Sequence, residues 1–119
     1  MAIAKLGTVV LDCPDPLALA SFYAALLGGE PDPAEEGWVE LAGQGTRLAF
    51  QEAPGHTPPA WPSPTASQQF HLDLTVDDLD VAEEQVLALG AKALDTDDHS
   101  RNWRVYADPA GHPFCLCAS

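Results

Sequence analysis

Four side chains able to act as acid, base, ligand or nucleophile fall at short, regular spacings in the second half of this 119-residue chain: His71, Asp73, Cys115 and Cys117. Alternation along an extended strand puts His71 and Asp73 on one face, and Cys115 and Cys117 on one face of a later strand. A histidine titrating near neutrality serves as a general base or as a hydrogen-bonding group for a ligand, which makes His71 the candidate catalytic residue. The competing assignment is a buried histidine bonded to a neighbour. Cys115 and Cys117 become nucleophiles only where a nearby cation lowers the thiol pKa, and a plain packing role competes with that reading.

Aromatic side chains supply the rest of a candidate site. Phe50, Trp103 and Tyr106, with Trp38 and Trp61, offer the apolar walls a planar organic ligand needs, alongside ordinary core packing. Trp61, flanked by Pro59 and Pro62, reads as a lid or a plug. His56, His99 and His112 fall in loop or turn contexts and read as surface residues. Arg101 and Arg104 either pair with an anionic substrate group or, as isolated surface pairs do, offset the carboxylates Asp95, Asp97 and Asp98.

Composition limits what these residues serve. Five basic residues against eighteen acidic ones give a net charge of −13, which repels phosphate backbones and anionic lipid surfaces and so disfavours nucleic-acid and membrane partners. The apolar stretch from Leu17 to Leu27 ends at two glycines, short of the roughly 20 residues a membrane span requires. The first residues lead into a strand-like run rather than an apolar signal segment, which points to the cytoplasm. An odd set of three cysteines, Cys13, Cys115 and Cys117, argues against a disulfide framework.

The elements that must position these residues are legible as punctuation. Residues Ile3 to Asp12 read as a strand. Asp15 then offers an N-cap with Pro16 at the first helical position, and Leu19, Phe22, Tyr23 and Leu26 give a helical apolar face closed by Gly28. Trp38 to Leu41 and Arg47 to Glu52 form a hairpin about Ala42-Gly43-Gln44-Gly45. A proline-rich linker spans 53–69. Phe70 to Val76 is a second alternating strand, and Asp78 caps a helix with apolar face Leu79, Ala82, Val86 and Leu89, closed by Gly90. Trp103 to Ala107 and Phe114 to Cys117 form a further pair of strands about Asp108-Pro109-Ala110-Gly111.

The programme runs twice. Thr8 precedes the cap Asp15 by seven residues, and His71 precedes the cap Asp78 by the same seven; Trp38 and Trp103 open corresponding hairpins. This duplication predicts one domain over 1–119, built of halves 1–52 and 70–119, with the helices outside and the other sheet faces turned toward each other.

Leu11-Asp12-Cys13-Pro14-Asp15-Pro16, Phe22-Tyr23, Leu27-Gly28, His71-Leu72-Asp73-Leu74-Thr75-Val76-Asp77-Asp78, Leu89-Gly90-Ala91 and Asp108-Pro109-Ala110-Gly111-His112-Pro113-Phe114-Cys115-Leu116 together resemble the vicinal oxygen chelate superfamily of glyoxalases, bleomycin-resistance proteins and dioxygenases. Within it they are closest to glyoxalase-like domains common in actinobacteria. The resemblance implies an α+β fold of paired βαβββ modules that form a curved mixed sheet around a cavity, and a homodimer. It also implies four metal-ligand positions: Thr8, either Ala49 or Gln51, His71 and Cys115. Aligning Gly45 with Gly111 sets Ala49 opposite Cys115 and Gln51 opposite Cys117.

Only His71 matches the usual His, Glu or Gln pattern, and Thr8 and Ala49 cannot replace a carboxylate. The expectation is therefore a protein with no cofactor that sequesters a small organic molecule among Thr8, Phe50, Gln51, Trp61, His71, Asp73, Trp103, Tyr106 and Cys115. The alternative is a glyoxalase-type lyase or isomerase using His71, with or without a divalent metal.

Overall fold

The computed structural model describes residues 2–43, 45–59 and 71–118. They form two compact units, divided after His56, and each carries the same element order.

In the first unit, β1 (Thr8–Cys13) leads to α1 (Pro16–Leu27), then β2 (Glu30–Glu35), β3 (Trp38–Ala42) and β4 (Arg47–Glu52). The sheet runs β1-β4-β3-β2, with β1 parallel to β4 and the remaining pairs antiparallel. Asp15 caps α1 by accepting the Ala18 N–H at 3.2 Å, with Pro16 at the first position where no donor is needed. Gly28, at φ +85°, stops the helix in a backbone region that side-chain-bearing residues avoid. Residues 3–7 lie outside β1, contrary to the expected strand from Ile3. β4 begins at Arg47, opposite Thr8, so the chain before Thr8 has no strand to pair with.

Leu19, Ala20, Phe22 and Tyr23 of α1 are buried against the sheet, where Tyr23 stacks on Phe50 with ring centroids 5.8 Å apart. Phe22 meets Tyr23 edge-on at 5.1 Å. This aromatic nucleus packs helix on sheet.

In the second unit, β5 (Leu72–Val76), α2 (Leu79–Ala88), β6 (Lys92–Asp95), β7 (Trp103–Ala107) and β8 (Pro113–Ala118) repeat the arrangement, with sheet order β5-β8-β7-β6 and β5 parallel to β8. Asp78 caps α2 by accepting from Asp80 N–H at 2.9 Å and Val81 N–H at 3.1 Å. The turn before β8 closes on the buried Asp108, whose carboxylate accepts from the Ala110 and His112 N–H groups at 2.9 and 3.0 Å.

The helix α2 buries only Ala82 and Val86, and Leu89, expected on its apolar face, is exposed at the C-cap. Polar ties supplement that small apolar contact. Arg104 of β7, 4% exposed, reaches Asp80 at 2.8 Å and Glu83 at 3.6 Å. The Tyr106 hydroxyl donates to Glu83 at 2.7 Å, and its ring stacks on Phe114 at 5.6 Å. Arg104 thus pairs with the helix rather than with Asp95, Asp97 or Asp98 as expected, because its position on β7 faces α2. The hydrogen bond and charge of Arg104 hold the Asp80 carboxyl below the usual carboxylate range.

Candidate functional site

The face of the second sheet turned away from α2 carries the chemistry. Asp73 pairs with Cys115 across β5 and β8, Cys115 pairs with Val105 of β7, and Trp103 pairs with Cys117. Directly paired residues share a face, so this register gathers Asp73, Cys115, Cys117 and Trp103 on one surface, with His71 just ahead of β5 in phase with Asp73.

His71 Nε2 lies 2.9 Å from Asp73 Oδ1, a contact that orients the imidazole. The donor atoms of His71, Asp73 and Cys115 all fall within 4.8 Å of one another. Their exposure is graded: the Asp73 side chain is 64% exposed and that of His71 27%, whereas Cys115 is 4% exposed. Arg101 flanks the group, its guanidinium carbon 3.8 Å from the centre of the Trp103 ring, within cation–π range. Arg101 is fixed by Asp95 at 3.1 Å, as the carboxylates nearby in sequence suggested.

Burial above all, then the charges of Asp73 and Cys117 and a hydrogen bond to Asp73, push the Cys115 thiol up to about 12. Burial, with Asp73 second, raises Cys117 as well. The field of Arg101 opposes these effects without reversing them. Both cysteines are therefore neutral thiols near pH 7, and the nucleophile reading is not supported; a thiolate requires a stronger cation than the arginine provides.

The corresponding face of the first sheet is chemically poorer. Val10 pairs with Ala49, Ala49 with Glu40, and Trp38 with Gln51. Counting back from the two helix caps, Thr8 matches His71 and Val10 matches Asp73. The strand registers then match Ala49 to Cys115 and Gln51 to Cys117, so the position left open between Ala49 and Gln51 falls to Ala49, which is fully buried and has no donor. Gln51 is exposed and borders a shallow depression of about 460 Å³ together with Trp38, Glu35, Glu36 and Glu52. The Trp38 indole N–H donates to Glu40 at 3.0 Å.

Two expected ligand contacts change sides. Phe50 packs on Tyr23 of α1, and Tyr106 bonds to Glu83 of α2, so both belong to the helix-facing layers and not to the faces that carry Thr8, His71 and Cys115. Strand parity decides this, since a shift of one residue exchanges the two faces. Trp61 lies outside the described residues. Of the two roles expected for Arg101, the structure shows the pairing with Asp95; its stacking on Trp103, two residues on, was not expected.

A pair of βαβββ units is the architecture of the vicinal oxygen chelate superfamily. The profile of the glyoxalase-like domain family matches residues 8–117, so the chain belongs to that family. Its fold resembles a glyoxalase/bleomycin resistance protein/dioxygenase family enzyme from Burkholderia phytofirmans, with TM-score 0.69, 18% identity and coverage of 97% of this chain and 98% of that one. The fosfomycin resistance protein FosX from Listeria monocytogenes, in a complex with Mn(II) and sulfate, aligns with TM-score 0.75 and 15% identity over 99% of this chain and 92% of its own. The oxidase ChaP-H2 aligns with TM-score 0.68 and 19% identity over 99% and 95%. Among curated proteins no sequence match was found. Among the described residues no helix is long and apolar enough to cross a membrane.

The residues present fit the superfamily's four-ligand metal site poorly. Two of the four positions, Thr8 and Ala49, lack a carboxylate or imidazole, and the thiol at Cys115 is a soft donor where a hard ion such as Mn(II) prefers oxygen.

Proposed function

We propose that this domain binds and sequesters a small, largely planar organic molecule on the sheet face that carries His71, Asp73, Trp103 and Cys115, without the hard divalent ion found in the FosX complex. The observation that carries this reading is the donor-free, fully buried Ala49 at the position matching Cys115. Of the four matched positions, Thr8, Ala49, His71 and Cys115, only His71 then offers the nitrogen or carboxylate donor that a hard divalent ion takes. The exposed edge of Trp103, stiffened by Arg101, supplies an aromatic platform, and the His71–Asp73 pair supplies a polar handle. The strong negative charge supports a neutral or cationic ligand and disfavours nucleic-acid and membrane partners. A homodimer is the assembly we propose, by family likeness.

The test is a titration of intrinsic tryptophan fluorescence with a panel of planar aromatic compounds, beside a glyoxalase assay with added Zn²⁺, Ni²⁺ or Mn²⁺. Saturable quenching without product formation is the expected result. Metal-dependent turnover abolished by His71→Ala sinks the binder reading and supports the second one, a lyase or isomerase in which His71, oriented by Asp73 at 2.9 Å, moves a proton.

A further inference from the structure

Trp38 and Trp103 sit at matching register positions in the two units, since Trp38 pairs with Gln51 as Trp103 pairs with Cys117. Their charged surroundings differ. Against Trp103 lies the Arg101 guanidinium, 3.8 Å from the ring centre and gripped by Asp95 Oδ1 at 3.1 Å and Oδ2 at 3.3 Å. Around Trp38 the acid is kept and the cation is replaced. Asp32 pairs with Glu40, two residues after Trp38, just as Asp95 pairs with Val105, two residues after Trp103. Two residues before Trp38, at the position matching Arg101, stands Glu36. We propose that the depression beside Trp38 binds a small organic cation bearing a guanidinium group, which takes on the first unit the place that Arg101 fills on the second. The inference goes beyond the organic-ligand reading, concerns the other unit and does not depend on it.

Shape is the first support. The depression holds about 460 Å³ and is lined by Trp38 with Glu35, Glu36, Gln51 and Glu52, a size within the roughly 300–1,000 Å³ of small-molecule sites. Trp38 is half-buried, and its one polar atom is spent on Glu40 at 3.0 Å, which Arg47 flanks at 4.0 Å. What the indole offers a ligand is therefore its π-surface, the best among the aromatic side chains for a cation. Gly37, at φ +73°, closes the turn that carries Glu36. A Cβ on Gly37 would lie 3.5 Å from Glu52 Oε1, so the Glu52 carboxylate rests against the same turn.

Charge is the second. Among the described residues no basic side chain pairs with Glu35, Glu36 or Glu52. A concave surface lined by one sign of charge concentrates ions of the other sign. A planar guanidinium suits this lining because it bonds carboxylates in a fixed fork while stacking on an aromatic face, which is the arrangement Arg101 adopts between Asp95 and Trp103.

The experiment uses the full chain, isotope-labelled for NMR, and follows the indole N–H signals as methylguanidinium chloride is added at low ionic strength. Methylurea, its uncharged planar analogue, and potassium chloride serve as comparisons. The Trp38 signal, identified by its loss in Trp38→Phe, should shift saturably with methylguanidinium and little with either comparison. The Trp103 signal, whose ring Arg101 already flanks, should stay in place. By calorimetry, Trp38→Leu should weaken binding by about 5-fold or more. Glu36→Arg supplies a guanidinium in the chain itself and should weaken binding by about 10-fold or more. Glu84→Arg, the same charge change at an exposed position on α2, should change it by less than about 2-fold. Because Glu36 lies exposed on a turn, its variant keeps the test decisive if Trp38→Leu fails to fold by circular dichroism. Equal shifts with methylurea, a response at Trp103 without one at Trp38, or unchanged affinity in Glu36→Arg overturns the proposal. Methylguanidinium binding without quenching by planar aromatic compounds supports it and sinks only the binder reading.

Discussion

Alkaline pH should destabilise this protein through Cys115. The thiol shifts from an ordinary 9.0 to about 12, with burial the leading cause. Because the folded chain holds the proton more tightly than the unfolded chain, the associated stability is complete below pH 9 and is lost as pH rises toward 12. The loss amounts to about 1.4 kcal/mol per pH unit between those limits, or about 4 kcal/mol in all, a large share of the roughly 5–15 kcal/mol that holds a domain together. Tyr106 and Cys117 are raised too, so the wild-type slope is a sum, and a comparison is needed to isolate Cys115. Urea unfolding at pH 8, 9, 10 and 11 under reducing conditions, for wild type and Cys115→Val, makes that comparison. The variant keeps the volume and removes the proton, so its slope should be shallower by about 1.4 kcal/mol per unit above pH 9. Parallel slopes from pH 9 to 11 would falsify the reasoning, because they would mean that the thiol ionises as easily in the folded chain as in the unfolded one.

Tyr106→Phe removes the hydroxyl that donates to Glu83 at 2.7 Å; a hydrogen bond to a charged acceptor is worth about 1.5–3 kcal/mol, and urea unfolding should show that loss with little change in denaturant slope. Gly29→Ala should cost about 2 kcal/mol or more, since Gly29 sits at φ +89° and a Cβ there lies 2.5 Å from the Ala42 carbonyl oxygen; a thermal midpoint equal to wild type would contradict it.

The helix ends were readable because they depend on local chemistry. Asp15-Pro16 and Asp78 cap their helices, and Gly28 ends the first, as their residue types require. The βαβββ order came from duplication and resemblance, yet β2 had no signature of its own: Glu30-Pro31-Asp32-Pro33-Ala34-Glu35 reads as loop, and only its edge position tolerates two prolines. At the candidate site, His71, Asp73 and Cys115 share a face by simple alternation, which one sequence can reveal. Phe50 is adjacent to Gln51 and Tyr106 is three residues from Trp103, so alternation alone sets the members of each pair on opposite faces, and the cross-strand pairing says which face is which. Arg104 shows the reach of tertiary pairing. Its partners Asp80 and Glu83 lie 24 and 21 residues away, and only the fold brings them to it.

The edge strand β2 also bears on how the protein behaves in a crowded solution. Its two prolines lack the N–H that a docking strand would bond to, its ladder slips between Asp32 and Glu35, and three of its six side chains are exposed acids. An extended peptide approaching that margin meets missing donors, an uneven rail and like charge if it is itself acidic. The first sheet is thereby closed to lengthening by fibril-type growth on this side, so the chain can be produced at high concentration without that border seeding aggregates.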